Sequence, residues 1–392
     1  MKLNKQLDQI HQSSTVAMAD RVLELKAGGR KIIPLHVGDP DFETPRAIVD
    51  AAIDALTRGD THYASSRGDR DLKLSAAKKY LREVGITYDP DSEIQVAHGG
   101  VHAYYLALQS ILNPDDEVLI PDPSWATHSN MVTLLRGVVK RVPAPAESGF
   151  IPPISSWEAA LTPKTRALVI NYPANPTGVY PSKEYLRKLQ NFASQNNLWV
   201  VSDEVYQHLY YGEKPTSAGA FPEAKERTIL INSFSKIYAM TGWRVGYLLA
   251  PKLVIENALK AGQNSITCVA PFIQRAAAFA LNDADVQKNA EEMRTTYAHR
   301  RALVLRVADE YPNSLLKLTP PQGAFYFFLD FRFLGLSSLE ICERILDDTG
   351  VALIPGSAFG KEGEGFVRMT VAASDADVEE GIRAVFDWVE KR

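Results

Sequence analysis

The sequence is poor in cysteine, in net charge and in long apolar runs. Its 392 residues include two cysteines, Cys268 and Cys342, which supply neither a disulfide framework nor a metal cluster and are typical of a reducing compartment. The formal net charge of -4 is weak, so we expect neither nucleic acid nor a membrane surface as partner. Met1–His11 has no apolar core of signal-peptide length, and no apolar run is long enough to span a bilayer. We therefore expect a cytoplasmic protein.

The composition is that of an ordinary globular protein. Hydrophobic residues make up 45% and charged residues 23% of the chain, and we find no internal repeat or low-complexity linker. At 392 residues the chain exceeds the size at which one hydrophobic core usually stops growing. We therefore expect a large domain with a smaller one attached.

Short apolar strands alternate with helices through the first two thirds of the chain. This alternation predicts an α/β fold with a mainly parallel sheet, right-handed crossovers and helices on both faces. From about Leu281 the pattern changes to a long charged helical run, followed by strands and a closing helix. We predict a large domain over residues 45–282 and a smaller α+β domain made of residues 1–44 and 283–392.

Residues suited to chemistry follow the predicted strands where these strands end. Because an open α/β sheet binds ligands at the carboxyl ends of its strands, we expect these residues to converge on one site. Asp203 either pairs with a cation there or belongs to a surface turn. Trp125 either stacks on a planar ring or is buried in the core. The residues at strand ends are Gly100, Trp125, Asn175, Asp203, Ser233 and Lys236.

The stretch Thr228–Tyr247 contains the most informative of these residues. Lys236 follows an apolar strand, where burial disfavours an ammonium and lowers its pKa, so it is a candidate Schiff-base nucleophile. Ser233 and Arg244 supply the hydroxyl and guanidinium donors that hold a phosphate. On these residues alone, a strand followed by a polar surface turn is the alternative.

A second candidate anion site is the loop His98-Gly99-Gly100-Val101-His102. It lies between a predicted strand, Glu93–Ala97, and a predicted helix, Ala103–Leu112. The free N–H groups and the dipole at the start of a helix both favour negative charge. The loop matches neither the GxGxxG nor the Walker pattern, and glycines in such turns also serve packing.

Turn residues mark two further positions. Gly38 precedes an Asp-Pro pair, which indicates either a close approach of the backbone to another group or a simple turn. Asn175 has prolines on both sides, so its amide points in a fixed direction. Thr44 is predicted to cap, and Pro45 to open, a helix that ends at Leu56.

Five motifs, in this order and spacing, resemble the class I/II aminotransferases of fold type I, which are pyridoxal-phosphate enzymes. The resemblance runs from about Ser13 to the C-terminus. It implies fold type I and a ping-pong transfer of an amino group between an α-amino acid and a 2-oxo acid. It further implies pyridoxal 5'-phosphate as cofactor, no metal, and a homodimer. The motifs are Asn175-Pro176-Thr177-Gly178, Ser202-Asp203-Glu204-Val205-Tyr206, Ser233-x-Ser235-Lys236, Gly242-Trp243-Arg244-Val245-Gly246 and Val367-Arg368-Met369.

The resemblance also implies catalytic roles. Lys236 would form the Schiff base with the cofactor and then move the substrate's α-proton. Asp203 would pair with the pyridine nitrogen and keep it protonated, which makes the ring an electron sink. Asn175 and Tyr206 would donate hydrogen bonds to the phenolic oxygen of the ring, and Trp125 would stack on it.

Binding roles follow from the same resemblance. Arg368, with Gly38 and Asn175, would hold the substrate α-carboxylate, which is a bidentate task suited to arginine. Tyr63 would reach the phosphate in the site of the other subunit, so the two active sites would be shared. The phosphate would rest on Gly100, Val101, Ser233, Ser235, Arg244 and Tyr63 of the partner subunit.

The sequence departs from the nearest subgroup at four positions. Members that use aspartate and prephenate have lysines at the positions of Gln12 and Val101, and these residues are uncharged here. The difference weighs against a dicarboxylate-specific pocket, although glutamate could still serve as amino donor. His98 and His102 stand where less polar or amide residues are expected, and they either shape the pocket or have a structural or solvated role.

Two other functions stay open at the level of sequence. One is a β-eliminating C–S lyase on the same fold, and the other is a pyridoxal-phosphate-binding regulatory protein without catalysis. The intact Lys236 argues against the regulatory protein. The sequence names neither the amino donor nor the acceptor.

Overall fold

In the computed structural model, which describes residues 5–10 and 14–392, helices and strands alternate through most of the chain. The strands are β1 (Ile33–Pro34), β2 (Ile94–Ala97), β3 (Glu117–Asp122), β4 (Val138–Pro143), β5 (Thr165–Asn171), β6 (Trp199–Asp203), β7 (Thr228–Ser233), β8 (Gly246–Leu249), β9 (Lys317–Thr319), β10 (Tyr326–Asp330), β11 (Val351–Ala352), β12 (Ile354–Pro355) and β13 (Phe366–Thr370). The α-helices are α1 (Ser14–Ala27), α2 (Arg46–Thr57), α3 (Arg70–Val84), α4 (Gly99–Ile111), α5 (Ala126–Leu134), α6 (Ile154–Ala160), α7 (Lys183–Gln195), α8 (Lys252–Ser265), α9 (Pro271–Asn282), α10 (Ala284–Asp309), α11 (Ser338–Thr349) and α12 (Asp375–Glu390).

A sheet of seven strands forms the centre of the larger part of the protein. Its strand order is β2-β8-β7-β6-β5-β3-β4. Strand β8 runs antiparallel to its neighbours β2 and β7, and every other adjacent pair is parallel. The predicted mainly parallel sheet is confirmed, and the carboxyl ends of its parallel strands meet at one edge.

Both faces of this sheet are covered, which explains why its strands are continuous apolar runs. In β7, Ile229 and Ile231 pack into the core that α4 and α8 complete, whereas Leu230 packs into the core shared with α3, α7 and α9. Successive side chains of a strand point to opposite faces, so a strand buried on both faces is apolar along most of its length.

A second sheet organises the C-terminal part. Its four antiparallel strands lie in the order β12-β13-β10-β9, and β1 pairs in parallel with β11 next to it. The N-terminal segment therefore packs with the C-terminal part of the chain, and Met18, Ile33 and Leu35 belong to the same core as β10 and β13.

Helix α10 enters both cores. Its first half contributes Val286, Ala290 and Met293 to the core under the large sheet, and its second half contributes Leu303 and Val304 to the core of the C-terminal part. The domain boundaries after residues 44 and 282 stay a prediction, since α10 begins directly after the second of them and its first half still packs into the core of the large sheet. No helix within residues 5–10 and 14–392 has the length and apolar character needed to cross a membrane.

A buried arginine on α10 links it to the N-terminal segment. Arg300 donates from Nη1 to Asp41 Oδ1 and from Nε to Asp375 Oδ1, each over 2.8 Å. Asp375 opens α12, and Asp41 lies three residues after Gly38. These ion pairs fix the turn that contains Gly38 against α10.

Two predicted helix starts are wrong. Helix α2 begins at Arg46, and the hydroxyl of Thr44 does not cap it but donates to Ala239 O over 2.6 Å and accepts from Trp243 Nε1 over 3.0 Å. Helix α4 begins at Gly99 and not at Ala103, because the glycine pair adopts the first turn of the helix. The loop that was predicted to precede α4 therefore forms the N-terminus of this helix.

Beneath the large sheet, the buried carboxyl group of Glu204 collects hydrogen bonds from three directions. It accepts from Ser217 Oγ (2.8 Å), Ala218 N (2.9 Å) and Tyr80 Oη (3.2 Å), and burial raises its pKa. The Tyr80 hydroxyl also accepts from Asn232 Nδ2 over 2.6 Å. One hydroxyl group thus connects α3 to the ends of β6 and β7.

We expect Tyr80→Phe to lower the free energy of unfolding by about 1–3 kcal/mol, because it leaves two buried polar groups short of a partner. Tyr88→Phe is the matched control: its buried hydroxyl has no hydrogen-bond partner among the described residues, and its ring lies 6.0 Å from that of Tyr80. Removing that hydroxyl should cost less than about 0.5 kcal/mol. Urea denaturation followed by circular dichroism measures both, and equal losses would contradict the role assigned to Tyr80.

Candidate active site

A cavity of about 480 Å³ lies at the carboxyl ends of the large sheet's parallel strands and reaches β10 and β13. All but one of the predicted site residues line it. Tyr63 does not: it is 88% exposed and lies outside the cavity. Gln12 lies outside the described residues. The predicted residues that line the cavity are Gly38, Gly100, Val101, Trp125, Asn175, Asp203, Tyr206, Ser233, Ser235, Lys236, Arg244 and Arg368.

Lys236 reaches into the cavity three residues after the end of β7. Its Nζ donates to the backbone carbonyl of Gly38 over 2.5 Å. Burial, together with the positive charges of Arg368 and Arg244 and against the opposing effect of Asp39, lowers the pKa of Lys236 to about 8. This amine therefore has the lowered pKa that the sequence predicted, and it becomes a nucleophile and a base near neutral pH.

Arg368, in the middle of β13, is a buried cation. Its Nη1 donates to Asn175 Oδ1 over 3.0 Å and its Nη2 to the carbonyl of His36 over 2.8 Å. The guanidinium carbon lies 4.4 Å from the ring centre of Tyr326 and 5.1 Å from that of Phe359. The Nε–H has no partner among the described residues, and none of them brings a carboxylate to the guanidinium. A buried cation without a counter-ion is costly, so this site favours an anionic ligand.

The contact with Arg368 also orients Asn175. Because Oδ1 accepts from the arginine, the Nδ2 group of the same amide is available to donate into the cavity. The backbone N–H of Asn175 donates to Asn171 Oδ1 over 3.1 Å, and Asn171 Nδ2 donates to Asp203 O over 3.0 Å. The turn after β5 is thereby tied to the end of β6.

Asp203, the last residue of β6, is buried and paired with a histidine. Its Oδ2 lies 3.0 Å from His128 Nε2, and its Oδ1 accepts from the N–H of Val205 over 3.3 Å. The ring of His128 packs at right angles against that of Trp125, with 5.4 Å between ring centres. The carboxylate is held by these contacts, and the surface-turn alternative for Asp203 is wrong.

The start of α4 faces two serines and an arginine. Ser233 Oγ donates to Ser235 Oγ over 2.9 Å, and Arg244 Nη1 donates to Thr241 O over 2.8 Å. Gly99 has a φ of +82°, which strains any other residue, and a Cβ there would lie 2.5 Å from Arg244 Nη2 and would displace this guanidinium. Hydroxyl, guanidinium and helix N–H donors together form an anion site.

Two residues of the site escaped the sequence analysis. Tyr326, in β10, shares a hydrogen bond of 2.9 Å between its hydroxyl and that of Tyr206, and a Cβ at Gly38 would lie 2.6 Å from the Tyr326 hydroxyl. The sequence signal that could have identified Tyr326 is its hydroxyl group, which stands alone within a run of phenylalanines. His128 has no such signal, since its partner lies 75 residues away in the sequence. His128 contacts Asp203 but does not line the cavity, and besides Tyr326 the unpredicted lining residues are Thr127, Asn171, Val205 and Thr241.

Comparisons with known proteins agree with this geometry. The family model described as Aminotransferase class I and II matches residues 30–385. An aspartate aminotransferase of Pyrococcus abyssi is 39% identical and an aromatic-amino-acid aminotransferase 2 of Thermococcus litoralis 38% identical, each over 97% of both chains. The structure of an aspartate aminotransferase from Thermus thermophilus with maleate superposes with a TM-score of 0.93 at 35% identity, covering 99% of both chains.

The lowered pKa of Lys236 can be measured chemically. In the protein freed of bound small molecules, we expect brief labelling of Lys236 with an amine reagent to reach half its maximal rate near pH 8, because only the uncharged amine reacts. Peptide mass spectrometry quantifies the label, and Lys236→Arg confirms the peptide assignment. A midpoint near the ordinary lysine pKa of about 10.4 would show that the pKa of Lys236 is not lowered.

Proposed function

The chain belongs to the aminotransferase class I and II family, and we propose that its cavity binds pyridoxal phosphate and works in a ping-pong cycle between an α-amino acid and a 2-oxo acid. The family is known to use this cofactor. The observation that carries the proposal is the presence, in one cavity, of a buried amine with a lowered pKa and a buried guanidinium to which none of the described residues brings a carboxylate. The first suits the cofactor, and the second suits the carboxylate of an amino acid.

Besides Lys236, the residues of the cavity fit pyridoxal phosphate at two points, its phosphate and its pyridine nitrogen. Ser233, Ser235 and Arg244 would hold the phosphate together with the N–H groups at the start of α4. Asp203, fixed by His128, would face the pyridine nitrogen, and a carboxylate there favours its protonated form. When bound, the cofactor supplies an electron sink for the negative charge that develops at the substrate α-carbon.

Lys236 is the residue that would attach the cofactor and move the α-proton. Its hydrogen bond to Gly38 O fixes the Nζ at the centre of the cavity. With a pKa of about 8, roughly a tenth of such an amine is uncharged at pH 7, whereas an ordinary lysine would be almost fully charged. The site therefore supplies a base near neutral pH without an external partner.

Arg368 would bind the substrate carboxylate. The contacts to Asn175 and to the His36 carbonyl hold the guanidinium in place, and its unpartnered Nε–H is one of the donors that a carboxylate can accept. The absence of a side chain at Gly38 lets the Tyr326 hydroxyl pack against the backbone there, since a Cβ would lie 2.6 Å from that hydroxyl. Replacing the missing counter-ion by the carboxylate would relieve the cost of the buried charge.

We further propose that the preferred substrate has an uncharged side chain. Among the described residues that line the cavity, the cations are Lys236, Arg244 and Arg368. In the proposed complex the first would attach the cofactor, the second would hold its phosphate and the third would bind the substrate α-carboxylate, so none is left for a charged side chain. Val101, in the first turn of α4, is where the resemblance leads one to expect a lysine for a second carboxylate. The relatives named above differ in their substrates, so the substrate class has to be inferred from the residues that line the cavity.

The exposure of Tyr63 supports a homodimer with shared sites. Tyr63 is 88% exposed and lies outside its own cavity, so it is accessible to a second subunit, whose site the resemblance implies that it enters. The unpaired cysteines Cys268 and Cys342 support a cytoplasmic location.

Lys236→Ala tests the function. We expect it to lower amino transfer from any amino acid to 2-oxoglutarate or pyruvate by about a thousandfold or more, because nucleophile and base are lost together. Lys252→Ala, at an exposed lysine of α8, is the control and should retain full activity. Transfer is followed by chromatography of the product amino acid. Full activity of Lys236→Ala would refute the assignment, and ammonia and pyruvate from cystathionine without amino transfer would identify a C–S lyase instead.

Val101→Lys tests the substrate class. We expect the wild-type protein to prefer phenylalanine or leucine to aspartate, and the variant to raise kcat/KM for aspartate relative to phenylalanine by about ten- to a hundredfold, the effect of one charged hydrogen bond. Val101→Met, which lengthens the side chain without charge, should not change the ratio in favour of aspartate. A wild-type enzyme that already prefers aspartate would contradict the proposal.

A further inference from the structure

His98 and His102 flank the first turn of α4, and neither ring lines the cavity. The backbone N–H of His98 donates to His102 Nδ1 over 3.1 Å. On the other side of the ring, His102 Nε2 lies 3.1 Å from Ser265 Oγ, at the end of α8. The ring also stacks on that of Tyr105, with 5.9 Å between their centres. His102 is therefore held on three sides.

The hydrogen bonds of His102 run in one direction. Because Nδ1 accepts an N–H, the proton of the neutral ring lies on Nε2, which then donates to Ser265 Oγ. The Ser265 hydroxyl in turn donates to Gly262 O over 3.2 Å. Burial, followed by the charge of His98, lowers the pKa of His102 to about 4, so the ring stays a neutral acceptor at ordinary pH.

The start of α4 needs such an anchor. The first N–H groups of a helix have no acceptor within the helix, and a glycine pair gives this turn little stiffness of its own. In a capping box, a side chain in the first turn of the helix accepts a hydrogen bond from the backbone N–H of the N-cap residue, which directly precedes the helix. His102 makes the equivalent contact to His98 and leaves the N–H groups of Gly99, Gly100 and Val101 for an external anion.

We propose that His102 is a positioning residue, which fixes the first turn of α4 so that its N–H groups are pre-arranged for the phosphate group of the cofactor. The proposal rests on the proposed function, since it requires pyridoxal phosphate in this cavity. It assigns different roles to the two histidines: the ring of His102 holds the turn, whereas His98 contributes its backbone N–H and makes no capping bond with its side chain.

Three variants separate these roles. His102→Ala removes both contacts of the ring. His102→Asn keeps an oxygen close to the position of Nδ1, where it can accept the N–H of His98, but it cannot reach Ser265. His98→Ala is the matched control, because it removes an imidazole from the same loop and leaves the backbone donor intact.

The experiment measures binding rather than turnover. Each protein is stripped of cofactor and titrated with pyridoxal phosphate and, separately, with phosphate-free pyridoxal, while tryptophan fluorescence reports binding. We expect His102→Ala to weaken pyridoxal phosphate binding by about five- to tenfold, the effect of one hydrogen bond, and to leave pyridoxal binding within about twofold of wild type. His102→Asn should regain most of the loss, and His98→Ala should stay within about twofold of wild type.

The outcomes are distinguishable. Equal weakening of both ligands by His102→Ala, or the same loss in His98→Ala, would show that the ring has no specific effect on phosphate binding and would overturn the inference. Wild-type affinity in His102→Ala would overturn it as well. If the wild-type protein itself bound no pyridoxal phosphate, the proposed function would fail, whereas wild-type binding with an unaffected variant would refute only the role of His102.

Discussion

The arrangement of the site depends on one constraint: a polar side chain inside a strand buried on both faces needs a partner within the protein, as Asn232 has in Tyr80, whereas a polar side chain at the strand's end can face a cavity. Strand β7 is buried along its whole length, and its first cavity-lining polar group, Ser233, is its last residue. Asp203 ends β6 and Asn171 ends β5 in the same way. Because these strands are parallel, their last residues meet at one edge. The sheet thus gathers groups that lie far apart in the sequence without any long loop to bring them together.

The charges at this edge are unbalanced. Lys236, Arg244 and Arg368 line the cavity, and among the described lining residues Asp203 is the carboxylate that faces them. Asp203 already contacts His128, so the three positive groups favour the binding of anions from outside the chain. The unpaired charge lowers the stability of the free protein, and the phosphate and carboxylate groups of the proposed ligands would offset this cost on binding. Such a site favours binding at the expense of stability.

The sequence was sufficient to predict the sheet, the family and most of the residues that line the cavity, because strand ends and glycine turns are local features. It was insufficient for partners that only the fold brings together. His128 gains its role from a carboxylate 75 residues away, and Tyr326 from a hydroxyl 120 residues away. The Thr44 hydroxyl was predicted to cap the nearest helix, yet Ala239 and Trp243, which lie close only in space, offered better partners. Long-range hydrogen bonds of this kind leave no pattern in a single sequence.

Helix α10 has a mechanical consequence. With 26 residues it is about 39 Å long, one end lies in each core, and Arg300 connects it to the turn that contains Gly38. A rigid rod of that length acts as a lever arm: a tilt of about 5° at one end displaces the other by roughly 3 Å. The packing around α10 then sets the axis of any closing motion, although this packing lies far from the residues of the cavity. Substitutions along this helix could change the opening rate of the cavity without touching a single group inside it.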